Sequence, residues 1–357
     1  MRAIVVRRGN HEPELIELPR PDPDEGEALV RMLRVGIDGT DHEVLEDGPE
    51  SFPPGDDYLV LGHEAVGVIE EPGTTAYERG DVVVPTVRRR PDDEPNEYFD
   101  RGEPDMAPTG KHLECGISGA HGFMAEYVPV PEDRLVEIPR RLAEFGVFVE
   151  PISISEKAIE HAYASRSAFE WTPRRALVLG NGALGLVTLA MLRQEFEDRY
   201  CLGRRDRPDP TIDVIERLEA TYIDSRETPV AEIPDEHGSM DFIYEATGYA
   251  KHPFESIHAL APNGVAALVG IADPWEFEID GGTLHTELVM HNKALVGSVN
   301  ANERHFRQAV RTLRALPAWL FEELLTSVAT PTDFASAFVD DETQIKAVIE
   351  FDSYRPT

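Results

Sequence analysis

Cysteine, lysine and long apolar runs are what this 357-residue chain has least of. Its two cysteines, Cys115 and Cys201, fall in different halves of the sequence and build no disulfide framework. Two thiols also exclude a structural zinc held by four cysteines. Gly, Pro or a charged residue interrupts every apolar stretch before it reaches the length of a membrane span. Residues 1–10 carry apolar side chains for one strand and no cleavage-like small-residue pattern, which reads as the start of a fold rather than an export signal. A cytoplasmic protein with no membrane partner is expected by default.

Positive charge is scarce as well. Only five lysines occur, at 111, 157, 251, 293 and 346, and Asp plus Glu outnumber Lys plus Arg by 67 to 34. The resulting net charge of −33 opposes compaction at ordinary ionic strength. In molar salt the Debye length is only about 3 Å, so most of that repulsion is screened. The acids are spread along the whole chain rather than gathered in a tail, which fits the cytoplasm of a high-salt organism. Nothing offsets the phosphates of a nucleic acid, so that partner is disfavoured.

What is present falls into two halves. Up to about residue 151, short β-type runs (3–6, 27–35, 65–70, 81–85 and 126–130) are separated by Gly, Pro and Asp, which predicts an antiparallel, barrel-like domain. Within it, residues 88–111 are rich in Pro, Asp and Glu and read as a long surface loop. From residue 171, strands at 175–179, 200–202, 221–223, 241–245 and 265–270 alternate with helical spacing, as at 185–195. That order predicts βαβ units and a parallel sheet. A strand at 294–299, a helix around 306–316 and a strand at 347–351 close the chain. At 357 residues, two domains are expected.

Gly180-Asn181-Gly182-Ala183-Leu184-Gly185 is a G-x-G-x-x-G directly after the strand at 175–179 and opening a helix. A bare match is weak, but this context is the one that a dinucleotide loop requires. Gly180 allows the tight turn, Gly182 lets a pyrophosphate approach, and Gly185 allows close helix packing. The phosphates then meet the unpaired N–H groups of a helix N-terminus. The end of the next strand reads Gly203-Arg204-Arg205-Asp206-Arg207. Gly203 leaves room where an NAD site usually places an acid, and the guanidinium groups of Arg204, Arg205 and Arg207 suit a 2′-phosphate. NADP is therefore preferred, and Asp206 keeps NAD possible.

Gly62-His63-Glu64-Ala65-Val66-Gly67, followed by Gly80-Asp81-Val82-Val83, resembles the zinc signature of the medium-chain alcohol dehydrogenases. The likeness extends along the chain, because the metal loop, the nucleotide loop and the closing segment fall in family order. It implies a GroES-like β-rich catalytic domain (1–155 and 295–357) with one catalytic zinc, and a Rossmann doubly wound parallel-sheet domain (156–294) for NAD(P). It also implies an active site in the cleft between them. The family's first zinc ligand is a Cys, but here Val35-Gly36-Ile37-Asp38-Gly39-Thr40-Asp41 has Asp38 at that position. A carboxylate is an acceptable though harder zinc donor, so zinc is still expected. His63 is the second ligand, and Glu150 or Glu64 supplies or neighbours the third.

A closer likeness is to the archaeal, haloarchaeal-type glucose dehydrogenases. It rests on Glu150-Pro-Ile-Ser-Ile-Ser-Glu156-Lys157-Ala-Ile, on Thr40-Asp41-His42-Glu43, on Glu114 before Cys115, on residues 121–126 and on Val299-Asn300-Ala301-Asn302. It implies oxidation of an aldose, glucose foremost, at C1 to the 1,5-lactone, with hydride passing to nicotinamide. Sugar contacts are then expected from Thr40, Glu64, Glu114, Glu150, Asn300 and Asn302, partners that adjacent hydroxyls require. Cofactor contacts are expected from Asn181, Ala183, Leu184, Thr247, Gly248, Val299 and Asn300 as well. Thr40 would pass a proton outward through His42, with Glu150 or Glu64 orienting the reacting oxygen or taking its proton. Two rival readings are a polyol or other alcohol dehydrogenase on the same scaffold and a non-catalytic NADPH-binding protein. A homo-oligomer, dimer or tetramer, is expected, with residues 265–271 as an edge strand pairing across a two-fold axis.

Overall fold

The computed structural model describes residues 1–91, 95–339 and 341–354. The chain divides into two compact units, 1–153 with 300–357, and 154–299.

The spine of the first unit is the eleven-residue strand Glu27–Ile37. It pairs antiparallel with Glu64–Glu71, Tyr127–Pro131 and the C-terminal strand Lys346–Glu350. Val82–Pro85, Leu135–Glu137 and Leu325–Ala329 complete a seven-stranded sheet. Val82–Pro85 is buried at every position, as a strand covered on both faces should be. Gly67 has a packing reason: a Cβ there would collide with Val30 and with the Arg31 carbonyl on the neighbouring strand. Arg2–Arg7, Glu14–Glu17 and Tyr58–Val60 form a smaller sheet, and Tyr58–Val60 leads straight into the His63 loop.

The segment expected as a surface loop at 88–111 is instead partly interior, with residues 92–94 outside the described residues. Arg88, Asn96, Phe99 and Asp105 are buried. The Arg88 guanidinium donates to the carbonyls of Pro104 (3.0 Å) and Ala107 (3.1 Å). A buried cation thus satisfies loop carbonyls that water would otherwise have to reach.

The second unit is a six-stranded, all-parallel sheet. Its spatial order is Thr221–Asp224, Asp198–Gly203, Arg175–Leu179, Met240–Glu245, Leu260–Leu268, Ala294–Gly297. Numbered within the sheet, that is 3-2-1-4-5-6, the doubly wound order in which ligands bind beyond the strands' carboxyl ends. Because Ala294–Gly297 is the sixth strand, the seam falls after Val299 rather than at 294. The same strand corrects the expected edge. Leu260–Leu268 is paired on both sides, and the edges are Ala294–Gly297 and, at the far end, Thr221–Asp224.

Candidate active site

The site of the first unit begins with a helix cap. Asp38 ends the spine strand's run and caps the helix Gly39–Asp47, accepting from the Asp41 amide through Oδ1 at 3.2 Å. Asp41 returns the bond, its Oδ2 accepting from the Asp38 amide at 3.1 Å. This reciprocal box satisfies two otherwise orphaned amides. It also leaves one free oxygen on each acid, and both face His63. Asp38 Oδ2 lies 3.4 Å from His63 Nε2, and Asp41 Oδ1 lies 4.0 Å from Nδ1. The residue standing where a thiolate is expected therefore has a second task, because Asp is among the best N-caps.

His63 is buried and reached by a turn at Gly62, whose φ of +86° suits glycine. It also neighbours Glu64 and Glu150, the three donor atoms lying within 4.8 Å of one another. Burial disfavours a charged imidazole, yet Asp38, Asp41 and Glu150 outweigh it and hold His63 well above its usual value. Burial likewise pushes Asp41 up to about 7 and Glu150 up to about 8, with neighbouring carboxylates adding to the effect. A divalent cation at this cluster would neutralise the buried acids crowded around one imidazole.

The donor set fits a divalent metal. Ligands about 2.1 Å from a tetrahedral ion are about 3.4 Å apart, which is the Asp38–His63 separation. His63 Nδ1 and Asp41 Oδ1 are buried without a hydrogen-bond partner among the described residues. Glu150, in the first turn of the helix Val149–Arg166, has a carboxylate with no hydrogen bond or ion pair there. Glu64 is different, because its carboxylate is paired with the buried ammonium of Lys346. The pair meets in space left by Gly36, where a Cβ would overlap the Glu64 side chain and lie 3.0 Å from Lys346 Cε.

The remaining expected residues divide. Glu114 and Asn300 come together, Asn300 Nδ2 donating to Glu114 Oε1 at 3.3 Å. That oxygen also accepts from Arg88 Nε at 3.1 Å, which leaves Oε2 available. Asn300 has a left-handed backbone (φ +55°), a conformation that Asn tolerates. Asn302 does not join them. It caps the helix Glu303–Ala315, accepting from the Arg304 and His305 amides, and donates to Asp105 at 3.0 Å. Its oxygen and one of its two amide hydrogens serve the helix and Asp105, which leaves the other hydrogen for the expected sugar contact. Thr40 and His42 stand two apart on one helix, so they point to different faces. No hydrogen bond joins them among the described residues, and His42 packs edge-on to Phe338. A direct relay between them is not formed.

In the second unit, Gly180 has φ +109° and Gly182 caps the helix Ala183–Met191. Gly185 admits no Cβ, which would overlap the Gly180 carbonyl oxygen. Gly203, expected to leave room, is filled instead. The Asn181 side chain and the Tyr222 ring would lie 2.7 and 2.9 Å from a Cβ there. Asn181 is thereby fixed, donating to Thr211 Oγ1 at 2.6 Å. Arg204 is exposed and its guanidinium has no partner among the described residues, whereas Arg207 is held by Glu216 at 2.5 Å. The Arg205 backbone is pinned by Tyr222, whose hydroxyl accepts from its amide at 2.7 Å. The Thr247 hydroxyl is already committed to Glu245 and His252, and its amide donates to Glu245 at 2.8 Å, so neither is left for a ligand. Gly248 presses against the Ile271 carbonyl, and the Val299 carbonyl accepts from buried Lys157 at 2.9 Å.

The sequence reading missed three residues at these sites: Asp41, Lys346 and Arg226. Asp41 was legible as the fourth residue of a D-x-x-D capping pattern. Lys346 was legible as one of five lysines, placed against the apolar run of a closing strand. Arg226 carried no local signal.

A β-rich domain with a buried histidine–carboxylate centre, preceding a 3-2-1-4-5-6 sheet with a glycine loop, is the construction of the medium-chain alcohol dehydrogenases. Residues 24–140 match the alcohol dehydrogenase GroES-like domain, and residues 143–351 match the glucose dehydrogenase C-terminus. The chain belongs to the glucose dehydrogenase family. It is 60% identical to glucose 1-dehydrogenase of Haloferax mediterranei, over 98% of this chain and 99% of that protein. It is 59% identical to glucose 1-dehydrogenase of Haloarcula marismortui, over 99% of this chain and all of that protein. The Haloferax enzyme solved with NADP, Zn and gluconolactone superimposes with a TM-score of 0.97 at 60% identity, covering 99% of this chain and 100% of that one. A D38C mutant of the Haloferax enzyme superimposes equally well, at 0.97 and 59% identity over the same shares.

Proposed function

We propose that this protein oxidises β-D-glucose at C1 to glucono-1,5-lactone, using one catalytic zinc and NADP. The observation that carries the reading is the buried His63 centre with the Asp38 oxygen at tetrahedral spacing. It occurs in a chain 60% identical to an enzyme solved with NADP, Zn and gluconolactone. Bound zinc supplies Lewis acidity that lowers the proton affinity of the C1 hydroxyl, while nicotinamide accepts the hydride from C1.

Asp38 and His63 hold the metal. Glu150 is the third residue of the centre, because among the described residues it is unpaired where Glu64 is tied to Lys346. Glu150 then orients the reacting hydroxyl and receives its proton. The free oxygen of Glu114 and the remaining N–H of Asn300 bind sugar hydroxyls, and half-buried Thr40 stands beside Asp41 at the same helix start. Exposed Arg204, unpaired among the described residues, binds the 2′-phosphate and favours NADP over NAD.

A second copy pairs along the edge strand Ala294–Gly297. Val289 and Met290, just before that strand, and Ile271, just after its neighbour Leu260–Leu268, are each more than 60% exposed, apolar side chains that a monomer would leave wet. Sedimentation in molar salt is expected to give a dimer or tetramer, and the V289D/M290D double variant a smaller species. No helix among the described residues is long and apolar enough to cross a membrane. With the acidic charge, this supports a cytoplasm of high salt as the place of action.

The reading is tested by a substrate panel in molar salt with zinc supplied. Aldoses, glucose first, are expected to reduce NADP at least about tenfold faster, in kcat/KM, than secondary alcohols or polyols. Preference for an open-chain polyol would move the protein to the neighbouring activity. No turnover of any of them would support a binding-only role.

A further inference from the structure

The loop after the second strand of the parallel sheet contains an acid, Asp206, beside the arginines expected to read a 2′-phosphate. A carboxylate at that place ordinarily accepts the ribose 2′-OH of NAD and opposes the phosphate of NADP. Here it is covered. Arg226 contacts both Asp206 oxygens, Nη2 to Oδ1 at 2.7 Å and Nη1 to Oδ2 at 3.4 Å. Arg226 is itself aimed by Asp224, with Nε to Oδ1 at 2.9 Å and Nη2 to Oδ2 at 2.5 Å. Asp224 also accepts from the Arg226 amide at 2.9 Å, closing the local turn. The assembly is fixed to the second strand, because Asp224 stands in register with Gly203 and the Ser225 amide donates to the Gly203 carbonyl.

We propose that Arg226 is a specificity-determining positioning residue for the cofactor: clamped by Asp224, it occupies the Asp206 carboxylate, so that this acid neither recruits the 2′-OH of NAD nor opposes the 2′-phosphate of NADP. The inference rests on the NADP reading given above. In molar salt, charges beyond about 3 Å are screened, so what the loop selects depends on which groups make direct contact. Asp206 is 86% exposed on its side chain and would be free to turn toward a ribose once released. Arg204, by contrast, has no acid to neutralise it among the described residues, and stays available to phosphate. The division of labour is one arginine for the ligand and one for the competing carboxylate.

The test is steady-state kinetics with NADP and NAD on the full-length enzyme at one fixed molar salt, for the parent, Arg226→Gln, Arg226→Gln with Asp206→Asn, and Arg204→Gln. Arg226→Gln is expected to lower the NADP-to-NAD ratio of kcat/KM about fivefold, the size of one exposed charged contact. The change should lie in KM, with a rise for NADP and a fall for NAD, since no reacting atom is touched. Removing the Asp206 charge in the same chain should restore the ratio to within about twofold of the parent, because the released acid is then neutral. An unmoved ratio in Arg226→Gln overturns the proposal. So does a lowered ratio that Asp206→Asn leaves lowered, which would make Arg226 itself the phosphate ligand. Arg204→Gln separates the two readings. If it also leaves the ratio unchanged, the phosphate-reading loop fails as a whole. If it lowers the ratio while Arg226→Gln is silent, only the role of Arg226 falls.

Discussion

His63→Ala is expected to abolish glucose oxidation while leaving NADP binding in place. His63 contributes the one nitrogen of a donor set otherwise made of carboxylates, and Asp38 Oδ2 stands 3.4 Å from it. Losing a group that merely supports a metal ligand already costs 10–100-fold in affinity or activity, so losing a ligand should cost kcat more than about 100-fold. The dinucleotide loop, Gly180 to Gly185, lies in the other compact unit and shares no residue with this centre. NADPH fluorescence titration in molar salt should therefore give a Kd within about twofold of the parent. Metal analysis after dialysis should show zinc lost from the variant and about one zinc per chain in the parent. Activity surviving in a zinc-free variant would exclude the metal mechanism. Loss of NADPH binding together with activity would mean that the two units do not act as separate sites.

Lys346→Met is expected to have the largest effect on stability. Lys346 is 3% exposed, and its ammonium pairs with Glu64 beside Asp38 and Asp41. Removing one partner of a buried pair leaves the other charge uncompensated, at a cost of about 3–5 kcal/mol. The same deletion removes a positive charge from the neighbourhood of a divalent cation, so it should tighten metal binding. Denaturant unfolding should thus find the variant destabilised by that amount after chelation. Added zinc should recover more stability in the variant than in the parent. Equal zinc stabilisation in the two proteins would place Lys346 outside the electrostatic reach of the centre. A variant as stable as the parent without metal would show that Glu64 simply takes up a proton.

The scarcity of lysine carries meaning that only the structure makes visible. Of the five, Lys157 and Lys346 are buried, Lys293 pairs with Glu287, and the Lys251 ammonium lies over the Trp275 ring. With 67 acids on the chain, the few lysines kept are mostly those with an interior or packed task. Arginine carries most of the remaining positive charge.

Local signals were enough for the strands, the glycine loop and the family. The strands at 27–37, 64–71 and 175–179 follow apolar patterning, which depends only on neighbours along the chain. Gly180, Gly182 and Gly185 are legible because a turn and a helix start demand glycine at fixed offsets. His63 and Asp38 are legible because a motif spaces them. The misreadings share another cause. Asn302, expected only as a sugar ligand, also caps a helix and holds Asp105, 197 residues away. Gly203 looked open until Asn181 and Tyr222 were found filling the space. The 88–111 segment looked exposed because its residues are polar, whereas Arg88 turns inward and satisfies its carbonyls.

By itself, then, the sequence determined the two-part architecture, the glycine loop, the acidic surface and the residue types at the metal centre, since each is encoded in short-range spacing or in composition. Tertiary structure alone decided which of those side chains are free. It joined Glu64 to Lys346 across 282 positions. Among the described residues it left Glu150 without a hydrogen bond or ion pair, put Asn302 at a helix cap, and paired Arg226 with Asp206. The physical reason is that a polar group's availability depends on what else has been folded against it, and hydrogen bonds and ion pairs ignore distance along the chain.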